Sequence, residues 1–284
     1  MSGRYVNLGC GARYHREWTN IDLAPAGPGV IAHDLSRGVP LESQSCDVVY
    51  HAHVLEHLRR DDAARLLAEC YRVLRPGGVL RVVVPDLEQI CRAYLRQLDL
   101  ALASPERPSG DYDWMMLELY DQTVRERSGG EMAAYLARQP LPNPEFVFGR
   151  IGEEGRNLVR ALGPRAEPPH LVPRLTRRAA RALLGAARLA ARRLREIPLR
   201  LLLGREGLRA YRVAQFRLSG EVHLWMYDRY SLARLLMSAG FARPAQQLAT
   251  TSLIPDWQRF ELDAGANGAP HKPDSLYMEA TRPL

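Results

Sequence analysis

Within its first eighty-five residues the chain lays down five short strand-like runs, at 5–9, 19–23, 30–34, 47–50 and 79–84, each flanked by glycine, proline or polar residues. Between the last two, residues 54–74 place Leu55, Leu58, Leu66, Leu67, Tyr71 and Leu74 on a helical period and end at Arg75-Pro76-Gly77-Gly78, a helix stop followed by a turn. Strands that alternate with helices in this way need a parallel sheet wrapped by helices. The expected fold class is α/β, doubly wound.

The remaining organisation follows from where this alternation stops. A helix is expected over 87–102. At Ser104-Pro105-Glu106-Arg107-Pro108-Ser109-Gly110 the pattern is lost, and prolines cluster at 140, 142, 144, 164, 168, 169 and 173. Strand and helix signals return at 221–240, 246–251 and 275–281. We therefore expect a core over 1–104, a largely helical insertion or cap over 105–220, and completion of the core sheet by 221–284.

At 284 residues and 46% hydrophobic content, a sizeable core can form without metal or disulfide staples. Cys10, Cys46, Cys70 and Cys91 form no Cys-x-x-Cys pair, which argues against a disulfide framework and a thiolate zinc site, and points to a reducing cytoplasm. The Met1-Ser2-Gly3-Arg4-Tyr5-Val6 start has no secretory pattern, and no apolar run approaches the ~20 residues of a bilayer crossing.

Charge is uneven. Lys272 is the chain's single lysine, and residues 171–209 carry eleven arginines against Glu196 and Glu206, so this segment alone holds more than the whole net charge of +7. On a helical wheel Arg174, Arg177, Arg178, Arg181, Arg188, Arg192 and Arg195 share one side, opposite Leu183, Leu184, Leu194 and Ile197. Such a helix suits a lid with a solvated arginine face or a peripheral contact with an anionic membrane. Nucleic acid is disfavoured as a partner, because no aromatic residues interleave with the arginines to stack bases.

Val6-Asn7-Leu8-Gly9-Cys10-Gly11-Ala12 is a strand ending in Gly-x-Gly, where an open α/β sheet lets a nucleotide-like ligand approach the backbone. Asp22 closes the second strand and suits a ribose diol; Asp34 closes the third and can accept from an exocyclic amine. Together they describe an adenosine pocket. Tyr14 takes the place of the third glycine of a dinucleotide fingerprint, which disfavours NAD and FAD.

Three segments in order, Asn7-Leu8-Gly9-Cys10-Gly11, Asp47-Val48-Val49-Tyr50-His51-Ala52-His53-Val54-Leu55-Glu56-His57-Leu58 and Tyr71-Arg72-Val73-Leu74-Arg75-Pro76-Gly77-Gly78, resemble successive motifs of class I S-adenosylmethionine-dependent methyltransferases, type 11 subgroup. The resemblance covers residues 1 to about 90, with residues 225–241 and the closing strands fitting the end of the same fold. It implies a Rossmann-like sheet of seven strands with the last antiparallel, and S-adenosylmethionine as cofactor. By position it implies that Gly9, Cys10 and Gly11 pass beneath the methionine portion. Asp22, with Leu23 beside it, would hold the ribose, Asp34 and the Leu35 amide would read adenine, and His51 would line the sulfonium end. Asn7 stands where many members carry an acid, and only 11 residues separate Gly11 from Asp22, which implies an abbreviated first helix.

Methyl transfer from a sulfonium is an in-line displacement that needs alignment, plus a base if the acceptor is a hydroxyl. His51, His53 and His57 fall at the strand-to-helix junction, and His53 is the favoured base; the alternative is that these histidines only bond loop backbone or one another. His53-Val54-Leu55-Glu56-His57 also fits a metalloprotease pattern, which the surrounding motifs argue against; it is similar too to the Glu-x-x-Glu-His of some divalent-metal methyltransferases, which implies a metal with His53 in the first ligand's place and Asp86 nearby, and this stays open. The clusters at 112–116 and 223–228 fit either packing or an acceptor pocket. By family analogy the acceptor is a sugar hydroxyl, a lipid-linked glycan or a secondary metabolite. The competing reading is a catalytically silent adenosyl-ligand or membrane-binding protein on the same fold.

Overall fold

The computed structural model describes residues 4–106, 109–162 and 175–284, with side chains described throughout these except at 175–195. Seven strands, β1 (Tyr5–Leu8), β2 (Thr19–Asp22), β3 (Val30–Ala32), β4 (Cys46–Ala52), β5 (Leu74–Pro85), β6 (Ala242–Gln247) and β7 (Ser275–Thr281), form one sheet in the order β3-β2-β1-β4-β5-β7-β6. The first five pair parallel, and β7 runs antiparallel to both β5 and β6. The doubly wound α/β sheet with an antiparallel last strand is thus the fold.

Alternate residues of the strands face two different cores. Val6, Leu8, Val49, Leu80, Val82 and Val84 pack on Leu66, Leu67, Cys70 and Val73 of α1 (Arg60–Val73) and on Leu232 and Leu236 of α7 (Arg229–Ser238). Asp228 caps α7 through a reciprocal pair with Ser231, satisfying amides that would otherwise be orphaned. On the opposite face Val48, Tyr50, Val83 and Tyr277 meet Trp18, Trp257 and Phe260.

That second face departs from expectation. Residues 9–18 form turns and no helix at all, so the abbreviated first helix is absent. Buried Trp18 and the long 248–274 connection between β6 and β7 take its place, their rings meeting edge to face: Trp18 lies 5.1 Å from Phe260 and 6.2 Å from Trp257. Arg81 of β5 fastens this connection. It is fully buried, pairs with Asp263 and Glu279 at 2.7 Å each, and donates to the carbonyls of Thr251 and Leu248.

Two other element boundaries shift. The helix expected from 54 begins at Arg60, because His53 adopts a positive φ of 55° and residues 58 and 59 are extended, which folds Leu55–His57 into a separate turn. The strand expected over 246–251 is Ala242–Gln247; Arg243 has φ 54° at a register shift, breaking the alternation by which such a strand is read.

The insertion is helical: α3 (Gly110–Val124), α4 (Gly130–Leu136), α5 (Pro144–Leu162) and α6 (Leu175–Arg217) follow α2 (Leu87–Ala103). Its own core joins Ile90 of α2 to Trp114, Met115, Tyr135, Leu136, Val147 and Ile151. Helix α6 contains Pro198 and breaks helical geometry at Gly204. The arginine face read over 174–195 lies outside the described side chains. Among the described residues no helix is long and apolar enough to cross a membrane.

Candidate active site

The site is built at the carboxyl ends of β1, β4 and β5, where a doubly wound sheet opens a crevice. Gly9 and Gly11 both have positive φ, 63° and 52°. A side chain at Gly9 would strike Val54 at 2.5 Å, whereas Gly11 faces open space, so the first glycine lets the β1 and β4 ends close together and the second leaves room for a ligand. A cavity of about 390 Å³ opens there, walled by Gly9, Cys10, Gly11, Arg13, Ala52 and His53 on the sheet side and by Asp263, Lys272, Ser275 and Tyr277 on the other.

His53 stands at the centre of this wall. Its Nδ1 lies 3.0 Å from Glu56 Oε1 and its Nε2 lies 3.3 Å from Ser275 Oγ. Glu56 is fully buried yet remains a carboxylate: burial works against the charge, but the hydrogen bond from His53 and the neighbouring histidines hold its carboxyl down at about 2. A carboxylate on Nδ1 assigns the proton there and leaves the Nε2 lone pair free to act. The left-handed backbone of His53 is held by this bond and by its amide, which donates to the Val83 carbonyl at 2.9 Å.

Of the other residues expected from sequence, the structure gathers some and not others. Gly9, Cys10 and Gly11 line the cavity. Asp22 adjoins it: Oδ2 accepts from the Gly11 amide and Oδ1 from the Ala24 amide, both at 2.8 Å, leaving lone pairs for a diol. Exposed Leu23, exposed Asp34 and half-buried Leu35 lie outside the cavity wall, along the open ends of β2 and β3. There Asp34 accepts from the Ser36 amide at 2.9 Å.

His51 is corrected. It does not line the cavity; it is fully buried on the opposite face of β4 with no hydrogen-bond partner at either ring nitrogen, and burial pushes its pKa down to about 4. Period-two alternation sends Tyr50 and Ala52 to the cavity and His51 away from it. Cys10, by contrast, is raised to about 11 by burial and then by Asp22, so it stays a thiol and is a poor competitor for an electrophile.

Sequence reasoning missed the far wall. Glu154, Asp263, Lys272, Ser275 and Tyr277 come from the insertion and the last fifth of the chain. The one available signal was Lys272, a lone lysine among 39 basic residues. Trp114 is buried in the insertion core, bonded to Glu118, and Trp225 is half-exposed beneath Arg60 at 4.7 Å. Asp86 caps α2 by accepting from the Gln89 amide.

Residues 7–82 match the family model described as a methyltransferase domain. A 56-residue segment is 46% identical to the probable S-adenosylmethionine-dependent methyltransferase of Mycolicibacterium smegmatis, covering 20% of this chain and 21% of that protein. The match therefore spans about a fifth of the relative. Among solved structures, an S-adenosylmethionine-dependent methyltransferase from Mesorhizobium loti is 27% identical over 30% of this chain and 48% of its own, with a TM-score of 0.24. The Burkholderia thailandensis 1,6-didemethyltoxoflavin-N1-methyltransferase is 20% identical over 30% and 45%, with a TM-score of 0.26. Sheet order and glycine loop define a doubly wound α/β protein with a crevice at the carboxyl ends of its strands. Within it, residues 7–82 are the part that is similar to methyltransferase domains.

Proposed function

We propose that the protein transfers a methyl group from S-adenosylmethionine to a hydroxyl of a small-molecule or glycan acceptor. The observation that carries this is His53, held by Glu56 at Nδ1 and presenting Nε2 to the cavity beside the glycine loop. When bound, S-adenosylmethionine supplies an electrophilic methyl group on a sulfonium. Gly9 and Gly11 let the backbone pass close beneath it, Arg13 on the cavity wall offers a cation to its carboxylate, and Asp22 offers free lone pairs to its ribose. Asp34 and the Leu35 amide belong to the same reading at the open adenine end.

His53 Nε2 would take the proton of the acceptor hydroxyl, and Glu56 would stabilise the imidazolium so formed, while the methyl group's former sulfur would leave as a neutral thioether. Ser275 Oγ, donating to Nε2 in the free protein, is displaced by the acceptor.

A second cavity, of about 380 Å³, adjoins the first and is the acceptor's place in this reading. Met132, Leu136, Ile151 and Leu158 give it an apolar wall, and Glu154 and Lys272 line both cavities. Arg125 Nε and Asp274 Oδ1 in its wall are buried without partners, as expected of groups that await a polar ligand. A peripheral contact of the 174–195 arginines with an anionic membrane belongs to the same proposal for lipid-linked acceptors; co-sedimentation with anionic vesicles tests it.

The deciding experiment is calorimetric titration with S-adenosylmethionine, S-adenosylhomocysteine and NAD, followed by transfer of labelled methyl to nucleotide-linked and lipid-linked sugars. Micromolar binding of the first two, none of NAD, and label on a sugar oxygen support the reading. Binding without transfer to any acceptor favours a silent adenosyl-ligand protein, and binding of NAD alone overturns the cofactor.

A further inference from the structure

Behind His53, on the side away from the cavity, three chemistry-bearing side chains converge from distant parts of the chain. Glu56 and His57 come from the turn after β4, and His223 comes from the segment that leaves the insertion. One ligand atom from each lies within 4.8 Å of the other two. Glu56 is fully buried and His223 is 6% exposed.

Their hydrogen bonding is incomplete in a particular way. Glu56 Oε2 and His223 Nδ1 are both buried with no partner. A buried carboxylate oxygen and a buried imidazole nitrogen left bare at one point are costly unless something cationic meets them there.

What surrounds the three residues is the environment that metal ligands require. His57 Nδ1 lies 3.2 Å from the Val222 carbonyl, which fixes the proton on Nδ1 and frees the Nε2 lone pair. Glu56 Oε1 is bonded to His53 Nδ1, which orients the carboxylate and leaves Oε2 without a partner. A second hydrogen bond at the far atom of each ligand is how protein sites fix tautomer and aim. The backbone is fixed too, since the Glu56 carbonyl accepts from the Leu224 and Trp225 amides at 2.6 and 3.2 Å. The His57 and His223 rings stand edge to face at 4.9 Å.

We propose that Glu56, His57 and His223 form a binding site for a first-row divalent cation of the zinc class, one side chain behind the cavity wall. Two imidazoles and one carboxylate favour zinc, cobalt or ferrous iron over magnesium or calcium. Ligands at about 2.1 Å around a tetrahedral ion stand roughly 3.4 Å apart, so side-chain rotation of about an ångström closes this set on an ion. Three protein ligands leave a fourth position open. The ion ties the segment leaving the insertion to the turn that carries His53, so loading orders the proposed base. The site itself stands independently of the methyl-transfer reading.

The test uses the full chain, dialysed against chelator and then titrated with Co²⁺ and Zn²⁺. We expect one equivalent of Co²⁺ per chain by elemental analysis, visible d–d bands of a four- or five-coordinate ion, and a Tm raised by several degrees. His223→Gln and Glu56→Gln should each lose the bands and bind at least tenfold more weakly, while His33→Gln, whose ring bonds the Gly38 carbonyl on the far side of β3, should keep both. Absence of binding by the wild type, or undiminished binding by His223→Gln, overturns the site. Should the His223 and Glu56 variants fail to fold, the wild-type stoichiometry and bands still decide. S-adenosylhomocysteine binding to the chelated protein, measured alongside, reports separately on the cofactor reading: binding there with no Co²⁺ uptake removes the metal site and leaves the methyltransferase reading in place.

Discussion

Lys272 Nζ stands 3.5 Å from Glu154 Oε2, and this one ion pair is lining to both cavities. Residues 154 and 272 come from the insertion and from the connection ahead of β7, so the pair joins the two parts of the molecule that roof the site. Glu154 is held below its usual range: burial opposes its charge, but Lys272 together with His53 and Arg13 outweighs burial. Glu154→Gln keeps the shape and removes the charge. We expect kcat/KM for the acceptor to fall about 10- to 100-fold, on the order of one weakened charge-assisted contact, with S-adenosylhomocysteine affinity nearly unchanged. Steady-state kinetics beside calorimetry separates the two effects.

Asp22→Ala should weaken S-adenosylhomocysteine binding by roughly 10- to 100-fold, because it removes the ribose acceptor and frees the Gly11 amide that Asp22 holds at 2.8 Å. Asp34→Ala, at an exposed position, should cost less. Equal losses in the two variants would show that the Asp22–Gly11 bond is not what shapes the loop.

For His53→Gln we expect kcat to drop by about 10²–10⁴, the usual contribution of a general base, with acceptor KM and cofactor affinity within a few-fold of wild type. An unchanged kcat would assign His53 to loop structure alone.

Stability should fall as pH drops from 6.5 toward 4. His51 is buried neutral, so its folded pKa, about 4, lies below its unfolded value of 6.5; the unfolded chain takes up the proton first, and stability present above 6.5 is lost through that window. The full effect is on the order of 3 kcal/mol. His223, lowered to about 3 by burial, adds to the same trend. Glu56 acts in a separate, lower window between 4.5 and about 2. Replacing His51 with Leu removes two unpartnered buried nitrogens, and Tm measured across pH should rise and flatten above pH 4.

Arg81→Met should destabilise the fold by roughly 3–5 kcal/mol, since Asp263 and Glu279 are left as buried carboxylates without their cation. Urea unfolding checks this. The double change Arg81→Met with Asp263→Asn should recover part of the loss.

The first ninety residues were legible because each strand there is a short run ended by glycine, proline or polar residues, and because Gly9, Gly11, Asp22 and Asp34 fall at strand ends where position alone suggests a role. His53 was legible for the same reason. His51 was not: a one-residue difference along β4 decides which face a side chain takes, and only the register with β1 and β5 fixes that. The far wall was hidden for a different reason. Ser275 reaches His53 across 222 residues of sequence, and Arg81 reaches Asp263 across 182, so no local pattern announces either. The meeting of Glu56 and His57 with His223 is equally non-local.

Strand β7, last of the seven along the sequence, lies between β5 and β6 in the sheet. During synthesis β6 leaves the ribosome with no partner to pair with, and the cavity has no far wall until residues 263–277 follow. A nascent chain halted before Ser275 would therefore carry every glycine-loop residue and yet have neither a closed sheet nor a finished binding site, so ligand capture on the ribosome should begin only after β7 has slipped in between its neighbours.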